Sequence, residues 1–304
     1  MTSIRYSLAG ILVSLFLFAA TGRCAWAAAA TIEQLVAAAK GEDSIEFYAP
    51  ATLAPKGAQE LGAAFNKKYN LNIKLNYSSA GNMAKDAGKV VSQAAAGFPP
   101  EWDLMVVTDA HHATLWLRKL HQTLTYAKLG VDVKAINYDN GTISIVNQIV
   151  LPAYNNKMVP PNNAPKKWED LLDPKWKGGK LGMPTTTHHL SRLAAGPWGA
   201  KNTTEFVGAP IVFAEGVEPV ISPSLQVGLL KGARHPNAGY LFAVFLVTPE
   251  AQEIWEKYTG QSSAFVSGTP AQKYFQGKKV LYMAQEQAEM VDRLANQYGK
   301  ILGF

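Results

Sequence analysis

Apolar side chains recur along this chain with two periods. Ile32, Leu35 and Val36 share one face of the stretch Thr31 to Lys40, which Gly41 closes, and the spacing predicts a short amphipathic helix. Ser44 to Ala49 alternates between apolar and polar positions, as a half-buried strand does. From Pro55 the period returns to helical, with Ala58, Leu61, Ala64 and Phe65 on one side. Ile73, Leu75 and Tyr77 mark a second strand over Leu71 to Tyr77. Met83, Ala87, Val90, Val91 and Ala94 mark a helix over Met83 to Ala96. The run Leu104 to Val107, behind Asp103, reads as a buried strand that ends at Thr108 and Asp109.

Strand, helix, strand, helix, strand is the order of an α/β fold, and it predicts a mostly parallel sheet with helices on both faces. Ligands of such sheets gather at the carboxyl ends of the strands. Here those ends are Tyr48 to Thr52, Ser78 to Asn82 and Thr108 to His112.

Thr142 to Tyr154 is a β-rich run longer than an ordinary strand, and it contains Pro152. It is expected to cross between two lobes. A loop rich in Pro and Asn follows from Val159 to Lys167, then a short helix from Trp168 to Leu172. A short strand is expected at Lys180 to Pro184, and strands leading back at Pro210 to Ala214 and Val217 to Ile221. Asn237 to Leu246 is an apolar helix. Another starts at Thr248-Pro249-Glu250, where a capping hydroxyl, a proline in the first turn and an acid at the positive dipole end stand together. Val280 to Leu302 reads as a last long helix. The expected organisation is lobe I over residues 30–145, a short lobe II over 146–216, a return to lobe I over 217–265 and a C-terminal helical segment over 266–304. The hinge falls near Ile143 to Val150 and Val217 to Ile221.

The N-terminus adds a location. Arg5 precedes the uncharged run Leu8 to Ala20, and small residues cluster at Ala25-Trp26-Ala27 and Ala27-Ala28-Ala29. This predicts a cleavable signal peptide over residues 1–29 and a periplasmic protein; an uncleaved anchor is the alternative. The run is too short to span a bilayer comfortably. Cys24, the single cysteine, falls within that segment, and Arg23 stands where a lipoprotein would carry a small residue. The exported chain of about 275 residues then has no disulfide, no thiolate nucleophile and no cysteine metal site. Removing Arg5 and Arg23 lowers the formal charge from +6 to +4. Basic residues form no block and do not alternate with aromatics, so nucleic acid is not an expected partner. A mild positive field suits an anionic solute.

Several segments carry a resemblance. They are Tyr154-Asn155-Asn156-Lys157-Met158-Val159, the run from Pro165 through Trp168-Glu169-Asp170-Leu171-Leu172-Asp173-Pro174 to Gly178, and Lys180-Leu181-Gly182-Met183-Pro184. Ser222-Pro223-Ser224, Leu230 to Ala238 and Phe245 to Gln252 extend it. Together, in this order, they resemble extracellular solute-binding proteins of the ferric-iron-binding type, over nearly the whole exported chain. The resemblance implies a two-lobed periplasmic-binding-protein fold of type II, a monomer that closes over a solute and delivers it to an ABC permease in the inner membrane. One departure matters. Relatives of this type carry several dozen more residues between the counterparts of Pro184 and Gly208, including the adjacent tyrosines that hold iron. Here only Thr185 to Val207 intervenes, and no Tyr-Tyr pair exists in the chain. The second lobe is therefore expected to be abbreviated.

The candidate binding residues follow from the strand ends. Ser78, Ser79 and Asn82 precede a helix, where hydroxyls and free backbone N–H groups form a site for an anion or polar ligand, or simply a cap. Thr185, Thr186 and Thr187 are a second cradle of the same kind from the other lobe. Tyr48 walls the pocket or packs in the core, and Tyr154 lies just past the crossover. Asp109 pairs with an amine or a cation, or caps a helix. The pairs His111-His112 and His188-His189, with Asp109 or Glu215, are the candidate ligands if a metal ion is bound; no other cofactor is expected. Neighbours on a helix point to different faces, so each pair readily offers one ligand. No G-x-S-x-G, H-E-x-x-H or phosphate-loop motif is present, so no catalytic residue is assigned. A binding protein for a small polar or anionic solute is the first reading. A ferric or iron–anion binder is the alternative, and a metal-dependent hydrolase using the histidine pairs is the alternative of another class.

Overall fold

The computed structural model describes residues 31–177, 211–214 and 216–282. Its first part is α1 (Ile32–Ala39), β1 (Ser44–Pro50), α2 (Ala54–Tyr69), β2 (Lys74–Ala80), α3 (Met83–Ala95), β3 (Leu104–Thr108) and α4 (Asp109–Trp116). Then come β4 (Ile136–Asn137), β5 (Thr142–Val150), β6 (Ala153–Asn155), β7 (Ile211–Phe213) and β8 (Val220–Leu229). The chain continues with α5 (Pro236–Phe245), α6 (Pro249–Thr259), α7 (Pro270–Phe275) and β9 (Leu281–Tyr282).

The main sheet runs β2-β1-β3-β8-β5-β4, with β9 against β8. β1 is parallel to both β2 and β3, as the βαβαβ pattern requires. The rest corrects the expectation of a mostly parallel sheet. β8 is antiparallel to β3, β5 to β8 and β4 to β5, so the sheet is mixed. Parallel neighbours need a crossover of a dozen or more residues, usually helical. β5 and β8 instead run side by side in opposite directions, one leaving the sheet where the other returns.

Three local expectations are also corrected. The run from Thr142 breaks at Leu151-Pro152, because Pro152 has no N–H to donate; its carbonyl accepts from Ala214 N at 2.9 Å, and β6 pairs with β7 in a separate two-stranded sheet. The returning strand is longer than expected and includes Ser222-Pro223-Ser224, with Pro223 opposite Asn147 just past a register shift in β5, where a missing donor is tolerated. Leu281 and Tyr282, expected to begin a helix, add a short parallel strand beside Val220 and Ile221. The apolar run 280–282 suits a sheet edge. The strand expected at 180–184 and the rest of the helix expected to 302 lie outside the described residues.

The strand period divides the core in two. Phe47, Leu104, Val106 and Val227 face α1, α2, α5 and α6, where Phe65, Phe242, Phe245 and Trp255 pack. Phe47 meets Phe242 edge-on at 5.2 Å. Tyr48, Met105 and Val107 point the other way, to Ala87 and Val90 of α3, Leu115 of α4 and Trp102. α5 is buried from Ala238 to Phe245, which leaves its first N–H groups in need of partners. Glu42 supplies them, accepting from Asn237 N at 3.0 Å and Ala238 N at 2.7 Å. Buried Asp103 accepts from Glu46 N, Arg234 N, His235 N and His235 Nδ1. Ser44 Oγ lies 3.3 Å from His235 Nε2, giving a Ser–His–Asp alignment at the amino end of β1. Glu42 already occupies the helix N–H groups nearby, and what the cluster does is fasten α5 to β1 and β3.

Candidate solute site at the strand tips

The parallel register brings the strand ends to one edge. Pro50 stands opposite Ala80, and β3 continues from its pairing with β1 to Thr108. Each tip then turns into a helix: α2 behind Ala51–Leu53, α3 behind Gly81 and Asn82, α4 directly at Asp109.

At the β2 tip Ser78 is half-buried and Ser79 exposed, and neither hydroxyl has a hydrogen-bond partner among the described residues. Asn82 is the N-cap of α3; its Oδ1 accepts from Lys85 N at 3.0 Å, so its amide N–H2 is what remains for a ligand. Tyr48 is placed differently from a pocket wall. It is buried, its ring packs on Trp102 at 4.7 Å, and its hydroxyl donates to Asp86 Oδ2 at 2.6 Å. Burial, reinforced by the Asp86 carboxylate, pushes that phenol above its ordinary range. Tyr48 thereby locks α3 onto β1 rather than presenting its ring to the edge.

Asp109 opens α4 at the β3 tip and is half-buried. Its Oδ1 accepts from the Tyr138 hydroxyl at 2.6 Å and from Gln226 Nε2 at 2.6 Å. Burial raises this carboxyl above the usual carboxylate range, and the two hydrogen bonds offset that only in part. Gln226 is wholly buried in β8; its Oε1 accepts from the Thr142 hydroxyl of β5, and its backbone carbonyl lies 2.9 Å from His112 Nε2. His112 Nδ1 is 3.0 Å from His121 Nε2. A carbonyl can only accept, so His112 carries its proton on Nε2, His121 donates from Nε2, and His121 Nδ1 is a buried acceptor without a partner among the described residues. Burial holds His112 down at about 4 and His121 well below its ordinary value, so both are neutral near pH 7.

Tyr138 reaches Asp109 from a strained turn. Tyr138, Asp139 and Asn140 have φ of 50, 55 and 64°, three consecutive non-glycine residues in the left-handed region. Trp116 Nε1 donates to Asp139 Oδ2 at 2.9 Å, and Leu124 N to the Asn140 carbonyl at 3.0 Å, which helps hold the turn.

Of the other predicted residues, Tyr154 lies half-buried in β6, opposite Val212 and beyond the main sheet. Thr185, Thr186, Thr187, His188, His189 and Glu215 lie outside the described residues. His111 Nδ1 is 2.7 Å from the Thr108 hydroxyl, and both ring nitrogens of His112 are engaged, so the pair is turned inward and along the helix rather than jointly outward. Among the described residues no three His, Cys, Asp or Glu side chains converge as a metal site would require, and no helix is long and apolar enough to cross a membrane. Sequence reasoning missed Gln226, Thr142, Tyr138 and His121. The available signal was Gln226 itself, a lone polar side chain between Leu225 and Val227.

Residues 60–218 match the model of the bacterial extracellular solute-binding protein family. The chain belongs to this family. Solved structures agree on the fold. The Trichodesmium protein IdiA (FutA), in complex with iron and citrate, is 16% identical with a TM-score of 0.63, covering 84% of this chain and 99% of its own. Apo FutA2 from Synechocystis PCC6803 is 15% identical with a TM-score of 0.61, covering 85% and 99%. A Bordetella ferric binding protein is 16% identical with a TM-score of 0.55, covering 84% and 99%. No curated protein matches this sequence. The fold of this solute-binding protein is therefore the α/β periplasmic-binding-protein fold, with a second lobe that is short in sequence: only residues 185–207 stand between Pro184 and Gly208.

Proposed function

We propose that this solute-binding protein acts in the periplasm as a monomer, capturing a small polar or anionic solute between two lobes and delivering it to an ABC permease of the inner membrane. The observation that carries the proposal is the convergence of three strand tips on one edge, with the unpartnered hydroxyls of Ser78 and Ser79 at one tip and the half-engaged carboxylate of Asp109 at another. Lobe I over residues 30–145 with 217–265, and lobe II over 146–216, would hinge on β5 and β8, whose antiparallel pairing runs from Thr142–Gly228 to Val150–Val220. Thr185 and Thr186 would meet the solute from the second lobe. Closing two lobes over one solute couples occupancy to a motion that a permease can read. No chemical step is assigned, and the role is that of a carrier rather than a catalyst.

Iron is the second reading, favoured by the iron and citrate named as ligands of the Trichodesmium protein and by the Bordetella one's being a ferric binding protein. It would require donors beyond the described residues, which bring no three candidate ligands together. A thermal-shift panel separates the readings, with phosphate esters, phosphonates, organic acids, polyamines and ferric citrate as probes. A solute at a hundredfold excess over its Kd stabilises the folded chain by about 2.7 kcal/mol. A shift with ferric citrate alone selects iron, and no shift with any probe refutes capture. Metal-dependent turnover of phosphate or carboxylate esters would overturn the carrier role in favour of a hydrolase.

A further inference from the structure

Asp109 opens α4 just past β3, with one carboxylate oxygen used and, among the described residues, one unused. Oδ1 accepts both the Tyr138 hydroxyl and the Gln226 amide, a full complement for one oxygen, while Oδ2 has no partner among the described residues. The side chains that orient it are fixed. Gln226 is fully buried, with its other amide atom taken by Thr142, and Tyr138 is held by a turn that its own backbone does not favour. A carboxylate held this firmly, with one open oxygen at the strand edge, can accept from a hydrogen-bonding cation. A metal ion would need several ligands at once, and the described residues do not bring them together. A protonated nitrogen needs only this oxygen and whatever other acceptors lie near it.

We propose that Asp109 Oδ2 is the recognition atom for a protonated nitrogen, so that the solute is a small organic ammonium or guanidinium compound, with Gln226 and Tyr138 as positioning residues. This rests on the reading that the strand tips bind a solute, and it narrows the class. Ser78 and Ser79 lie two strands away across β1, and the register that sets Ser78 level with Met105 leaves them short of Asp109 along the sheet as well, a separation of about 15 Å by strand spacing and rise. A solute that reaches both tips carries its nitrogen and its polar or anionic end on a chain, not on adjacent atoms.

The test uses matched pairs on the full chain: aminohexanoate against hexanoate, and cadaverine against pentanediol, by calorimetric titration. In the wild type the nitrogen-bearing member of a pair binds at least about tenfold more tightly, as expected for a charge-assisted hydrogen bond. In Asp109→Asn, which keeps an acceptor for Tyr138 and Gln226, that preference falls to within about threefold. Equal binding of both members by the wild type overturns the assignment, whatever the variant does, and so does an unchanged preference in a folded Asp109→Asn. In either case solute capture itself stands. Failure of every probe here and of the panel of phosphate esters, phosphonates, organic acids, polyamines and ferric citrate refutes both.

Discussion

Gln226 Nε2 donates to Asp109 Oδ1 across 2.6 Å, and this one bond joins the buried strand β8 to the first residue of α4. Because the same amide accepts from Thr142 of β5, two strands and the start of α4 share a single polar side chain inside the fold. Such a group stabilises only while every partner is satisfied.

Gln226→Leu removes both side-chain partners at once. Thr142 and Asp109 are left with unmet hydrogen-bonding groups, at a cost of about 1–3 kcal/mol. Urea unfolding should show a lower midpoint with an unchanged slope. An unchanged midpoint would mean that the network is not holding β5 and β8 together.

His112 and His121 make stability depend on pH. Burial lowers both, His112 to about 4 from an ordinary 6.5, so the unfolded chain binds protons that the folded chain refuses. Stability is then full above about pH 6.5 and falls as pH drops toward 4. His112→Asn should flatten the unfolding midpoint over that window. A profile as steep as the wild type's would show that other groups cause the loss.

Gly141 is glycine because there is no room for more. A Cβ there would lie 2.8 Å from the Tyr138 carbonyl and 2.9 Å from His121 Cβ. Gly141→Ala should therefore displace the turn that carries Tyr138 and destabilise by about 1–3 kcal/mol. Thermal unfolding measures the loss; a Tm equal to the wild type's would count against the turn's role.

Asp103 fastens the opposite end of the sheet. With its carboxylate accepting from Glu46, Arg234 and His235, Asp103→Ala leaves several buried donors unpaired and should cost roughly 3 kcal/mol or more. Amide exchange should speed up first at the start of α5, which loses its connection to β3. Protection there at wild-type levels would contradict this.

The tips themselves were legible because they rest on short-range rules. The alternation through Ile45 and Phe47, the helical spacing of Leu61 and Phe65, the polar Ser78 to Asn82 before Met83 and the apolar run Leu104 to Val107 place the β1, β2 and β3 ends from local pattern alone. Ser78, Ser79, Asn82 and Asp109 fall on those ends as expected. Tyr48 does not show itself there, because the same alternation that puts it beside Ala49 also turns its ring toward α3 and Trp102.

The sequence by itself determined the elements of the first half, the export-type leader pattern, the family likeness and the strand ends that a ligand would meet, since periodicity, caps and turns act within a few residues. Only the tertiary structure decided the mixed sheet, the strand through Pro223 and the joining of Asp109 with Tyr138, Gln226 and Thr142. Those pairings link residues 29, 84 and 117 positions apart. Hydrogen bonds at such separations depend on strand order, which no local pattern encodes.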